Sequence, residues 1–184
     1  MRNLEQQITQ YAAYHRDRRN IATHFVGVPM IVFSVILALA QVLIGSVHLG
    51  WIGVLAAAIY YLVLDRSLGL AMAFYLFMNA VLASLVAAYT STSAGLGIAA
   101  AFFIIGWAIQ FVGHKYEGMK PAFVDDLIGL AIGPLFVMTE LFFILGVKKQ
   151  LKKYVEDRVG PVLAERNGAP IGPAANPSMV SDEA

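Results

Sequence analysis

Three histidines, His15, His24 and His114, stand at the edges of long uncharged stretches in a chain with only one other histidine, His48. Neutral imidazole is a ligand for iron, copper, zinc or nickel. An iron oxygenase commonly combines two histidines with a carboxylate and leaves positions open for oxygen and substrate. Glu117 is the best-placed carboxylate, because it lies three residues after His114 and a helix would put both on one face. A salt bridge with Lys115 or Lys120 is the competing role for it. His15 and His24 are nine residues apart, on opposite sides of a straight helix that turns about 100° per residue. They can share a metal only if the chain bends between them, and Arg16-Asp17-Arg18-Arg19-Asn20 is polar enough to allow a bend. Asn20, one turn before His24, has three candidate roles: orienting that ring, contacting a substrate, or capping a helix.

The elements that must position these residues are apolar. The chain has 184 residues, 59% hydrophobic and 14% charged, whereas a soluble domain is nearer one quarter charged. These values indicate an all-α integral membrane protein. Arg2, Glu5, Gln6 and Gln7 leave no room for the apolar core of a cleavable signal, so the first apolar stretch is expected to stay in the mature protein. The absence of cysteine excludes thiolate ligands, disulfides and thiol nucleophiles, so any metal must be held by nitrogen and oxygen. The net charge of +1 gives no reason to expect nucleic acid as a partner.

Phe25 to Leu64 holds 40 residues without a charge. As one helix it would be about 60 Å long, twice the roughly 30 Å apolar thickness of a bilayer. Two spans are therefore expected, broken at Gly45-Ser46-Val47-His48-Leu49-Gly50, with His48 an interfacial residue in the outer turn. Asp65-Arg66 closes this pair, and the 47 uncharged residues from Ser67 to Gly113, interrupted at Thr90-Ser91-Thr92-Ser93-Ala94-Gly95, give two more. The second span, from Trp51 to Leu64, is short. Ala122 to Val147 is not a fifth span, because Asp125, Asp126 and Glu140 leave only 13 uncharged residues and Gly133-Pro134 sits at its centre. A re-entrant or interfacial broken helix is expected there.

Charge supplies an independent test, since Lys and Arg accumulate on cytoplasmic loops. With four transmembrane helices and both termini cytoplasmic, all 13 Lys and Arg fall on that side, and so do His15, His24 and His114. Residues 1–24 read as a polar helix before the membrane, with Leu4, Ile8, Tyr11 and His15 at helical spacing. Residues 148–166 read as a basic amphipathic helix at the surface, where Lys148 to Lys153 can meet anionic membrane lipid. Residues 1–166 are thus expected to form a single membrane-embedded helical domain, and 167–184 a disordered C-terminal tail rich in Gly, Pro, Ala and Ser.

Asp125, Asp126 and Glu140 are costly near a membrane core and so are functional candidates. The two aspartates also fit a helix start after Pro121, and Glu140 fits a partner that orients a histidine. Gly129 and Gly133 fit close helix packing. A non-enzymatic small membrane carrier or scaffold, coupling protons or cations through Asp125, Asp126 and Glu140, is the alternative to a metalloenzyme.

The pattern Tyr11-x2-Tyr14-His15-x4-Asn20-x3-His24-x2-Gly27-x-Pro29, followed by Gly106-Trp107-x2-Gln110-Phe111-x-Gly113-His114-x2-Glu117-x3-Pro121-Ala122, resembles the Mpo1-like family. The resemblance covers about residues 8–150 and includes Pro134 and Glu140. It implies an iron(II)-dependent dioxygenase of the bacterial inner membrane or endoplasmic reticulum that shortens 2-hydroxy long-chain fatty acids by one carbon, in α-oxidation, with molecular oxygen as co-substrate. By the same resemblance His15, His24 and His114 are iron ligands or essential neighbours. Arg18 stands where members of the family often have proline, which would have supplied the bend between His15 and His24. The implied chemistry is a four-electron oxidation matched by one molecule of oxygen, so no flavin or nicotinamide site is required. Lys115, Arg19 and Lys120 are candidate partners for the substrate carboxylate, with solvent-facing charge the alternative for each.

Overall fold

The computed structural model describes residues 3–122 and 128–165. Among them are seven helices and one short hairpin: α1 (Leu4–Ala12), α2 (Arg18–Ala40), β1 (Leu43–Ile44), β2 (Val47–His48), α3 (Leu49–Leu64), α4 (Arg66–Tyr89), α5 (Thr92–Glu117), α6 (Gly129–Ile144) and α7 (Lys149–Val159). Asp125, Asp126 and the tail expected at 167–184 lie outside the described residues. The chain divides into two compact units, one of Met1–Phe25 with Ile109–Ala184 and the other of Val26–Ala108.

The second unit carries most of the apolar sequence. Helices α2, α4 and α5, of 23, 24 and 26 residues, are long and apolar enough to cross a membrane. At 1.5 Å per residue each exceeds the roughly 30 Å hydrocarbon layer, whereas α3, with 16 residues, falls short at about 24 Å. Val63, Leu70, Phe74 and Ile104 are 73%, 65%, 68% and 67% exposed, which suits faces solvated by lipid rather than water. The expected interruptions occur where glycine and hydroxyl residues permit them. Leu43 pairs with His48 and Ile44 with Val47 around Gly45, whose φ of 62° only glycine adopts freely. Asp65 separates α3 from α4 and caps the latter, its Oδ1 accepting from the Leu68 amide at 2.8 Å.

Helices α3 and α4 pack more closely than side chains would allow. A Cβ on Gly69 would lie 2.6 Å from both the Leu62 Cα and the Tyr61 carbonyl oxygen. Trp51 on α3 adds a hydrogen bond from its indole nitrogen to Ser84 at 3.1 Å.

The first unit departs from expectation in two places. Residues 1–24 do not form one helix. Asn3 starts α1 with a reciprocal capping box to Gln6, but α1 ends at Ala12. Helix α2 begins at Arg18, so His15 lies in the intervening turn and His24 lies within the first long apolar helix. The polar run 16–20 therefore bends as the metal reading requires, without a proline at position 18. The Arg18 amide instead donates to the Leu163 carbonyl at 2.9 Å, a bond that proline could not make.

The second departure concerns Pro134. Helix α6 runs unbroken through Gly133-Pro134, and the break falls between α6 and α7, which meet at 112°. Left-handed backbone at Gly146 (φ 74°) and Lys148 (φ 56°) makes that bend. Pro134 removes one donor without stopping the helix, and α6 packs on α1 at this point. Gly133 admits Tyr11 so closely that a Cβ there would sit 2.9 Å from the phenolic oxygen. Leu151, Val155 and Val159, at four-residue spacing, give α7 the expected buried stripe against α1, and Gly160 ends it.

Gly69→Ala should lower the melting temperature in detergent, with overpacking worth about 1–3 kcal/mol. Gly97→Ala, where a Cβ meets nothing within 4 Å, should be neutral or slightly stabilising. Equal melting temperatures for the two variants would contradict the tight α3–α4 contact.

Candidate metal centre

All three histidines meet in the first unit. His15, His24 and His114 are 0%, 2% and 6% exposed, and one nitrogen from each lies within 4.8 Å of the others. The His15 Nδ1 lies 2.8 Å from the Tyr11 carbonyl oxygen, and the His24 Nδ1 lies 2.9 Å from that of Asn20. A carbonyl only accepts, so each Nδ1 carries the proton and each Nε2 keeps its lone pair. Those two Nε2 atoms are 2.9 Å apart.

Two bare imidazole lone pairs at that separation repel unless a cation lies between them. A proton is disfavoured. Burial holds the His15 imidazole well below its ordinary value of 6.5, and His24, His114 and Arg16 push the same way against the Tyr11 carbonyl. A metal would suit the donors better, because a divalent cation held by His15, His24 and His114 would accept both lone pairs at once. Three neutral imidazoles without thiolate are a donor set for a first-row divalent metal. The residues present therefore fit a metal.

The rings are held from outside as well. Tyr11 stacks on His15 with centroids 4.3 Å apart and planes 2° from parallel, and Phe136 of α6 lies 5.2 Å from the same imidazole. His114 approaches edge-on, 5.0 Å from His15 and 5.3 Å from His24. It reaches them because α5 carries Gly113, where a Cβ would collide with Thr23 and Asn20 of α2.

Glu117 is fully buried and does not join the group of three ligand atoms. One of its oxygens accepts from the Arg16 amide at 2.9 Å, and the other from the Asp17 amide at 2.8 Å and from Asn20 Nδ2 at 3.0 Å. It holds the bend between α1 and α2 from the end of α5. Asn20 is correspondingly a brace. Its amide donates to Glu117 and to the Tyr14 carbonyl, and its own carbonyl fixes His24.

Arg16 is the residue that sequence reasoning missed. It is 3% exposed; its Nε donates to the Ala12 and His15 carbonyls at 2.9 Å each, and its Nη1 to the Gly160 carbonyl at 3.1 Å. Glu140, expected beside a histidine, instead pairs with Arg16 Nη2 at 3.5 Å. Burial draws the Arg16 guanidinium below its ordinary value, and Glu140, Glu117 and Glu156 oppose that shift. A short strap completes the enclosure: the Leu163 amide donates to the Arg16 carbonyl at 2.8 Å and the Leu163 carbonyl accepts from Arg18. Arg19 is engaged with Asp17 at 2.8 Å and lies over the Tyr116 ring at 4.7 Å. Lys115 and Lys120 are exposed, while His48 sits in the hairpin of the other unit.

The sequence matches the family described as 2-hydroxy-palmitic acid dioxygenase Mpo1-like over residues 1–145. The chain belongs to the Mpo1-like family. It is 34% identical over 158 residues to the 2-hydroxy-palmitic acid dioxygenase MPO1 of Saccharomyces cerevisiae, covering 84% of this chain and 88% of the yeast protein. No solved structure matches. The family match contains the three histidines, Asn20, Gln110, Glu117 and Glu140, and it ends before Gly160 and Leu163, which close over Arg16.

Glu117→Gln replaces one acceptor oxygen with a donor facing backbone N–H groups, and should cost roughly 2–3 kcal/mol. A clamp predicts a lower melting temperature in metal-free protein as well as a lower metal content. Loss of metal with an unchanged metal-free melting temperature would make Glu117 a ligand instead.

Proposed function

We propose that this chain is an iron(II)-dependent dioxygenase that shortens 2-hydroxy fatty acids by one carbon at the cytoplasmic face of a membrane. The observation that carries the reading is the convergence of three buried neutral imidazoles in a chain one-third identical to a 2-hydroxy-palmitic acid dioxygenase. The overall change is a 2-hydroxy acid plus oxygen giving the acid one carbon shorter, carbon dioxide and water, which balances in atoms and in electrons. His15, His24 and His114 would hold the iron, which when bound supplies the activation of oxygen.

The chain's own contributions are geometric and electrostatic. Tyr11 and Asn20 keep the two Nε2 atoms unprotonated through their backbone carbonyls. Glu117 and Arg16 hold the turn that carries His15, and their burial keeps water from that side. Glu140 is occupied by Arg16, which leaves it poorly suited to the cation coupling that a carrier would need.

We further propose four crossings, made by α2, α3, α4 and α5, with the bent pair α6–α7 returning to the starting face. This arrangement keeps both termini and every Lys and Arg cytoplasmic, in a bacterial inner membrane or the endoplasmic reticulum.

Detergent-purified protein given iron(II), oxygen and 2-hydroxypalmitate should consume oxygen and release the odd-chain acid, read by an oxygen electrode and mass spectrometry. His15→Ala, His24→Ala and His114→Ala should each lower the rate on the order of 100-fold or more and reduce bound iron. Full activity in any of the three would remove that histidine from the centre. Because the chain lacks cysteine, single substitutions report topology cleanly. Ser46→Cys and Ser91→Cys should react with an impermeant maleimide in intact cells, and Lys153→Cys only after permeabilisation. Reversal of that pattern would defeat the proposed orientation.

A further inference from the structure

Gln110 lies on α5 one helical turn before His114, only 3% exposed, yet neither its Nε2 nor its Oε1 has a hydrogen-bond partner among the described residues. Elsewhere in this unit Thr9 Oγ1, Asn20 Oδ1 and His114 Nδ1 also lack a hydrogen-bond partner among the described residues and Arg16 Nη2 has only the Glu140 ion pair, but each is a single atom, and Asn20 Nδ2 has two acceptors. A buried amide left with both a donor and an acceptor unmade is unfavourable, and such a group in a native fold points to a ligand that completes it.

Its position defines which ligand. Residues four apart share a helix face, so Gln110 lies about 6 Å along α5 from His114 and on the same side. From Ala94 to Ile109 the sequence offers no polar side chain except the Trp107 indole. Gln110 is therefore the amide that ends a long apolar run of sequence, as a polar head ends the chain of a fatty acid. An amide offers one group that donates and one that accepts. A 2-hydroxy acid carries the complementary pair on adjacent carbons: carboxylate oxygens that accept and a hydroxyl that donates.

We propose that Gln110 recognises the 2-hydroxyl group and so selects 2-hydroxy acids over unsubstituted ones. This rests on the function proposed above. The Oε1 accepts from the substrate hydroxyl while the Nε2–H donates to the carboxylate. An unsubstituted acid leaves the Oε1 unpaired inside the protein, and a site built to bond a hydroxyl rejects the analogue lacking it for that reason. Hydrophobic lining alone would not discriminate in that direction.

The test is anaerobic binding of 2-hydroxypalmitate and of palmitate to the detergent-purified, iron-loaded protein, with bound iron and melting temperature measured alongside. The wild type should prefer the hydroxy acid. Gln110→Leu, close to isosteric, should reduce that preference about tenfold, with iron and melting temperature unchanged. Gln110→Met, a second apolar replacement of similar volume, should do the same. A wild-type preference retained in either folded variant overturns the proposal, as does loss of iron and melting temperature in both, which would make Gln110 structural. If the wild type neither binds nor turns over any 2-hydroxy acid, the proposed function itself fails and this inference falls with it. Turnover with unaltered selectivity in Gln110→Leu removes the inference alone.

Discussion

Everything about the centre depends on two backbone carbonyls. By accepting from the Nδ1 atoms of His15 and His24, the carbonyls of Tyr11 and Asn20 fix both tautomers and leave two lone pairs 2.9 Å apart in a site closed to water. Such a pair is unfavourable until a cation joins it. The fold must hold it there by other contacts, and the surrounding contacts do so. Tyr11 stacks on one face of His15, Phe136 lies close by, and the turn beneath is fastened from three directions. Glu117 holds its amides, Arg16 takes its carbonyl oxygens, and the Leu163 strap pairs with its edge.

Buried charge serves this purpose better than apolar packing would. A turn of five residues has few side chains to bury and several backbone donors to satisfy, so a carboxylate and a guanidinium can fix it where methyl groups could not. The cost of burying Arg16 is offset by three carbonyl acceptors, Glu140 and the neighbouring Glu117. Glu140 thus reaches the centre at one remove, through Arg16 and the His15 carbonyl. It was legible as a buried acid with a reason to be there, but its partner was not.

What the sequence disclosed follows from how far apart the interacting residues are. Helix breaks at Gly45–Gly50 and Asp65 are local chemistry, and the structure places them where glycine and aspartate require. The meeting of His15 with His24 was conditional on a bend, and the polar run supplied it. The burial of Arg16 depends on Glu140 and Gly160, and that of Glu117 on amides near the other end of the chain, which no window of sequence reveals. Pro134 misled for a related reason. Its local preference does not stop α6, which packs on α1 at this point, and the actual bend uses the left-handed backbone of Gly146 and of Lys148, a residue type that gives no warning.

The last constraint is steric, and it explains why a helix end can bring an imidazole to this cluster at all. His114 is near the C-terminal end of α5, and to place its ring about 5 Å from those of His15 and His24 the helix must come nearly to backbone contact with α2. A Cβ at Gly113 would strike Thr23 and Asn20 and push α5 outward. Any such displacement would also draw Glu117, one turn further on, away from Arg16, Asp17 and Asn20, because the two residues share one rigid helix. A single small residue therefore sets both the third imidazole and the clamp on the first two. The placement of His114 and the stability of the turn are coupled through the same close approach, and a change that relaxes one must relax the other.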